Sequence, residues 1–420
     1  MLPNAETLAL TLIFGMTMAL DFTNTEIAFR SKSDEDLQRA KWLFRAVQYP
    51  WLVRTGAPLA EMAMKFGLPV KPLLEHTMFR HFCGGETIEA SAPTIADLAR
   101  FNVGTILDYS VEGLESEAGF DATLEELIKG IVFAEGRREI PFSVFKLSGI
   151  ARHGLLSKKQ RKESLSTTEV SEWDRVHARF RRLTAEAAKR QVRLFVDSED
   201  AAIQDIVDTL TREAMAECNR EHPVIYGTLQ LYRRDRPAFL EEERRRARDG
   251  GYVLAFKLVR GAYLEGERQA AEAAGVPSPL WSSKEETDAA YDRALVTCVQ
   301  AVASGERLAL CAGTHNEESN ALLAKQVDEL KLSHDDPRIY TAQLLGMSDH
   351  LTFNLAAAGF NAAKYVPYGP VELVFPYLVR RAQENSAVAG QTGRELLRIE
   401  AELKRRRESR AGGGVSRSIV

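Results

Sequence analysis

Phe256–Arg268, FKLVRGAYLEGER, decides the fold. It completes an apolar run that begins at Tyr252, and the run ends in Arg260, Gly261 and Ala262. Apolar residues on either side of Lys257 predict a short buried strand of the kind found in a parallel sheet. Lys257 is a cation in the middle of that strand, and an unpaired ammonium is costly to bury. Its side chain must therefore face a cavity that holds an anion or another acceptor. Gly261 and Ala262 have almost no side chain, so a large group can approach the backbone there. A strand, a cation and two small residues suit the wall around a flat bound group. A half-exposed edge strand with a snorkelling lysine would carry the same letters, so the rest of the chain must decide.

The same pattern recurs along the sequence. Short apolar runs lie at Val103–Leu107, Phe142–Leu147, Val192–Asp197, Val224–Leu231, Tyr252–Val259, Arg307–Gly313, Arg338–Leu344 and Ala362–Val366. Amphipathic stretches alternate with them, around 122–134, 172–190, 200–220, 236–249, 285–303, 316–332, 349–359 and 371–385. Strands alternating with helices imply a parallel sheet, and eight such units favour a (β/α)8 barrel. A doubly wound sheet is the alternative, and the lack of a GxGxxG after any strand weakens it. The predicted class is α/β, a TIM-type barrel spanning residues 101–392.

Residues 1–100 read as a helical N-terminal arm. A helix over 35–66 is expected to break at Pro50, Gly56 and Pro58, and residues 91–101 read as a helix capped at Thr94. Residues 393–420 read as a basic C-terminal helix with a disordered tail. Two polar insertions, 151–170 and 269–284, fall where barrel loops build sites.

The chain has 420 residues and a net charge of −4, which gives no support to nucleic-acid binding. Four cysteines without a CxxC pair argue against a disulfide framework or a zinc ribbon and fit reduced intracellular thiols. No metal site is expected, including at His76, His81 and Cys83. The longest apolar run, residues 8–20, is too short to span a bilayer as a helix. With its first basic residue at Arg30 it lacks the n-region of a secretory signal.

Polar residues at the C-terminal ends of barrel strands read as chemical. Lys146, Arg380 and Arg381 supply three cations, suited to a small anion. Arginine grips carboxylates bidentately. Asp197 and Glu112 supply two carboxylates. Tyr263, Tyr365, Tyr377 and Leu344 suit the apolar walls of a small ring site. Gln230, Lys257, the Gly261–Ala262 backbone and Thr314, His315 and Asn316 suit something larger and polar, with the last three opening a helix where phosphate can bind.

KLVRGAYLEGER, AGTHNEESN, QLLGMSD and YVPYGPVELVFPYLVRRAQEN, with FCGGET and VAGQTGREL, resemble the monofunctional members of the proline dehydrogenase family. The resemblance runs from about residue 22 to about 407. It implies a distorted (β/α)8 barrel holding FAD noncovalently over the strand ends. It implies hydride transfer from C5 of L-proline to the flavin, giving Δ1-pyrroline-5-carboxylate, the first step of proline catabolism to glutamate. Electrons would pass to a membrane quinone, and product to a separate pyrroline-5-carboxylate dehydrogenase. The implied location is cytoplasmic and peripheral on the inner membrane, or on the mitochondrial inner membrane in a eukaryote.

By the same resemblance Lys146, Arg380 and Arg381 hold the proline carboxylate, Glu112 pairs with one arginine, and Asp197 and Lys257 are catalytic. Many bacterial members have arginine where this chain has Lys257. Ser198, Gln230, Arg260, Gly261, Ala262, Lys284, Thr314, His315, Asn316 and Glu384 match flavin-contacting positions. Three other readings remain: a 4-hydroxyproline dehydrogenase, a Schiff-base lyase using Lys146 or Lys257, and a carboxylate-binding protein without catalysis. A flavin spectrum separates the last two from the first reading.

Overall fold

The computed structural model describes residues 20–66, 69–111, 115–387 and 391–413. Eight parallel strands close into a barrel in sequence order: β1 Val103–Tyr109, β2 Phe142–Lys146, β3 Arg193–Asp197, β4 Ile225–Gln230, β5 Leu254–Val259, β6 Leu308–Gly313, β7 Ile339–Leu344 and β8 Ala362–Tyr368. Closure runs the full length of β1, from Val103 opposite Ala362 to Tyr109 opposite Tyr368. The eight apolar runs are thus the eight strands.

Counting helices of eight residues or more, the arm contributes α1 Asp34–Val47, α2 Pro50–Lys65 and α3 Ala92–Ala99. The barrel layer holds α4 Glu117–Ala134, α5 His153–Gln160, α6 Thr167–Arg190, α7 Gln204–Cys218, α8 Arg236–Gly250, α9 Leu264–Ala273, α10 Lys284–Ala303, α11 Glu317–Glu329, α12 Asp349–Ala357 and α13 Val371–Ala387. The chain ends in α14 Gln391–Gly413, which packs with α1 around Leu37, Phe44 and Leu403. Many starts are written locally. Ser33, Ser166 and Ser283 each make a reciprocal capping box with the acid three residues on, satisfying two orphan N–H groups.

Three local expectations are corrected. Gly56 and Pro58 lie inside α2 rather than breaking it; packing on α13 outweighs the local cost of both residues. Thr94 is not the cap of α3, which follows directly from a short 3-10 turn at Glu89–Ser91, with Pro93 in its first turn. The insertions at 151–170 and 269–284 are partly helical, holding α5 and the second half of α9.

The barrel interior is a packed core. Ile106, Phe142, Val144, Phe195, Tyr226, Ala255, Ala309, Cys311, Ala342, Ala363 and Tyr365 form one inner cluster. Large rings on β2–β4 face small residues on β5–β7, and the Phe142 and Phe195 rings stack at 4.3 Å. Side chains alternate along a strand, so this layer sets which residues reach the mouth. Two positions beyond Ile106, Val144, Phe195, Ala255 and Ala342 come Asp108, Lys146, Asp197, Lys257 and Leu344. Gln230 keeps the same parity on β4.

Candidate active site

Lys257 is 5% exposed, and its ammonium is matched on two sides. It donates to Asp197 Oδ1 on β3 and, at 2.6 Å, to the Tyr365 hydroxyl on β8. The Tyr365 hydroxyl lies 3.4 Å from the same carboxylate oxygen. The ammonium also sits 4.8 Å from the Tyr365 ring centre, within cation–π range. Burial, and then the Asp197 charge, push the Tyr365 phenol well above its ordinary pKa, so it stays neutral. The acceptors that Lys257 required are therefore a carboxylate and a phenol.

Around this centre lie the remaining small-molecule candidates. Lys146 pairs in register with Asp197 across β2 and β3. The Tyr263 phenol is pushed up by burial and also feels Lys146, Glu199, Asp197 and Arg380. Arg381 lies over the Tyr377 ring at 5.1 Å, and its charge reaches His315. Leu344 packs on the inner cluster near Tyr365. The structure thus gathers Lys146, Asp197, Lys257, Tyr263, Leu344, Tyr365, Tyr377, Arg380 and Arg381 over the barrel mouth. Glu112 and the Glu384 side chain lie outside the described residues.

A second zone flanks β4–β6. Arg260 spreads its fork over Asp288 Oδ1 at 2.6 Å, Thr314 Oγ1 at 2.7 Å and Ser319 Oγ at 3.0 Å. Lys284 also pairs with Asp288 but is otherwise exposed. Asn316 caps α11, accepting from Ser319 N at 2.9 Å. His315 is held near a pKa of about 3 by burial, then by Lys364 and Arg381, so it enters as a neutral ring. Ser198 and Ala262 sit at the strand exits.

These residues fit a large planar cofactor with a diphosphate. Gln230 Oε1 is buried without a hydrogen-bond partner, an acceptor waiting for a donor. Gly261 has φ of +137°, and a Cβ there would lie 2.5 Å from the Tyr232 ring. Only glycine fits there, packed against the Tyr232 ring. Arg260, Thr314 and the N-terminus of α11 supply donors suited to phosphate.

Sequence reasoning names Asp108 as the polar residue that ends the first run but gives it no role, and it passes over the turn from β7 to α12. Asp108, at the inward end of β1, accepts from Ser110 Oγ at 2.7 Å; burial raises its carboxyl, Lys146 counteracts, and Asp197 adds to the rise. Its parity with Ile106 was the available signal. The turn from β7 to α12 is clamped from several elements. Lys364 donates to Leu344 O at 3.2 Å and pairs with Asp349 at 2.8 Å. His81 contacts Gly346 O at 2.9 Å, and Glu395 on α14 accepts from Ser348 N at 2.8 Å. Ser348 Oγ in turn meets His315 Nδ1 at 2.9 Å. Lys364, a lysine within an apolar run, carried the same signal as Lys257. Glu395 carried none.

Residues 91–394 match the family described as "Pro_dh: Proline dehydrogenase". The "Carbapenem antibiotics biosynthesis protein CarD" of Pectobacterium carotovorum subsp. carotovorum is 36% identical over 325 residues, 77% of this chain and 83% of that protein. "Proline dehydrogenase 1, mitochondrial" of Arabidopsis thaliana is 28% identical over 434 residues, 92% of this chain and 86% of that one. The solved proline utilization A from Bdellovibrio bacteriovorus, inactivated by N-propargylglycine, superposes with a TM-score of 0.69 at 16% identity, over 88% of this chain and 42% of that chain. This chain thus spans under half of that longer chain, and at such identity the likeness speaks for the barrel alone. The family match runs unbroken from the helix before β1, through every strand and the paired arginines of α13, into α14, and by it the chain belongs to the proline dehydrogenase family of oxidoreductases.

Proposed function

We propose that the chain binds FAD noncovalently and oxidises L-proline to Δ1-pyrroline-5-carboxylate, opening proline catabolism to glutamate and passing the electrons to a membrane quinone. The observation that carries the reading is Lys257, a buried cation tied to Asp197 and Tyr365 at the barrel mouth. Arg380, Arg381 and Lys146 take the proline carboxylate, with Glu112 steadying one arginine. Tyr263, Leu344, Tyr365 and Tyr377 enclose the ring and exclude water from C5. Asp197 accepts a hydrogen bond from the ring nitrogen and orients it as the C5=N bond forms. Bound FAD supplies the hydride acceptor. Ser198, Gln230, Arg260, the Gly261–Ala262 backbone, Lys284, Thr314, His315, Asn316 and Glu384 would hold it, and Lys257 would supply it with a fixed positive charge.

In this reading residues 101–392 are the catalytic barrel, flanked by the 1–100 arm and the 393–420 tail. The enzyme works at the inner face of a cytoplasmic or mitochondrial membrane and releases its product to a separate dehydrogenase. Among the described residues no helix is long and apolar enough to cross a membrane, which fits a peripheral association. The test is spectroscopic. Purified protein should carry flavin absorbance that bleaches anaerobically with L-proline. Protein that stays colourless and inert after incubation with FAD refutes the reading.

A further inference from the structure

Thirteen large apolar side chains are exposed among the described residues, and seven of them lie between Trp42 and Leu73. Trp51, Leu59 and Met62 on α2, and Phe66 directly after it, follow one another at spacings of eight, three and four residues. At 3.6 residues per turn these positions fall on one narrow stripe. They are 50–78% exposed. Trp42 on α1 and Tyr49 at its exit are exposed as well. The other side of α2 packs on α13, the helix that carries Arg380 and Arg381. Single exposed apolar residues are ordinary, but a concentration of this kind marks an interaction surface.

We propose that this face of α2, with Trp42 and Tyr49, docks the protein on an anionic lipid surface. The proposal deepens the functional reading and rests on it for the identity of the electron acceptor. Two observations choose lipid over a protein partner. The stripe combines tryptophan and tyrosine with phenylalanine, leucine and methionine, the mixture that sits at a bilayer interface. It also lies in a basic segment. Residues 38–80 contain seven Lys or Arg against two Asp or Glu, in a chain whose net charge is −4; of these, Arg39, Lys41, Arg45 and Lys71 pair with acids outside the segment. Arg54 and Arg80 are exposed and make no ion pair among the described residues. A self-complementary contact with a second copy would bring two such basic faces together. An anionic membrane instead attracts the cations while the aromatic stripe enters its headgroup region. Docking here would leave the site one helix from the membrane, where a lipid-dissolved acceptor resides.

The experiment uses the full chain, loaded with FAD, and vesicles of phosphatidylcholine with or without phosphatidylglycerol, carrying a long-chain quinone. The expected result is flotation with the anionic vesicles, weakened by salt. The Trp51→Glu/Phe66→Glu variant should lose at least about tenfold in bound fraction and in quinone turnover, while its proline turnover with a water-soluble dye stays unchanged. Wild-type protein that does not float with anionic vesicles overturns the proposal. So does a variant that splits a dimer in light scattering without changing flotation, which assigns the face to a second copy. Flotation that survives the double substitution but vanishes when residues 1–19 are removed also overturns it, in favour of the leader. Flotation with no proline–dye turnover would sink the functional reading and leave the docking face standing.

Discussion

Lys257 and Tyr365, on β5 and β8, meet at 2.6 Å across the barrel mouth, with Asp197 holding the same ammonium from β3. This contact joins a charge to a wall residue of the proposed substrate site. Removing one partner of a buried pair typically costs about 3–5 kcal/mol, because the other is left uncompensated. The three groups are therefore expected to fail together in function.

Lys257→Met should lower kcat with proline by at least about a hundredfold, the scale of one positioned group in a reaction centre. Lys257→Arg should recover much of that loss, since the charge returns with a second donor. Anaerobic stopped-flow reduction of the flavin reads the step directly. Near-normal reduction in Lys257→Met would make the lysine a structural counter-ion only.

Arg380→Met and Arg381→Met should each raise KM for proline strongly. The loss of a charge-assisted partner to a buried carboxylate is worth about 2–5 kcal/mol. Steady-state kinetics across a wide proline range decides it, and an unchanged KM in both variants moves the carboxylate site elsewhere.

Tyr365 should favour proline over trans-4-hydroxyproline by roughly ten- to a hundredfold, because an added hydroxyl overpacks the wall at a cost of about 1–3 kcal/mol. Tyr365→Ser should narrow that ratio. It should also slow both substrates, since the phenol that helps hold Lys257 is lost. A wild type that prefers hydroxyproline, or a ratio untouched by the substitution, removes Tyr365 from the ring wall.

Glu395 gives a pH signature. Burial, and then Asp349, push its carboxyl up to about 7, against the pull of Ser348 N–H, Lys364 and Arg398. A carboxyl whose folded pKa lies above its unfolded value stabilises the fold in its protonated form. That contribution is complete below the unfolded pKa and fades as pH rises through about 7. The wild type should therefore lose Tm between mildly acidic and mildly alkaline pH, and Glu395→Gln should show a flatter profile. Identical profiles in the two proteins would show that Glu395 does not titrate in this range.

The strands were legible because each is an apolar run bounded by breakers, and parity then pointed Lys257 and Asp197 inward. The paired arginines and the Thr-His-Asn turn were legible as motifs. Lys364 sits in the last run as Lys257 sits in the fifth, but it lies mid-strand, away from the strand ends where barrel chemistry is legible. Pro58 was misread because local propensity says nothing of the α13 surface on which α2 packs.

By itself the sequence determined the eightfold alternation, the identity of the charged groups at the strand ends and the serine caps that start the helices. These depend on spacing and local hydrogen bonding, which a linear chain already contains. Only the tertiary structure decided that Lys257 meets Tyr365 across 108 positions, that Glu395 reaches Ser348 across 47, and that α2 turns its aromatic stripe outward. Those relations follow from how the barrel closes and which helix faces find a partner. Closure and packing are set by the whole set of buried surfaces at once, not by any one stretch.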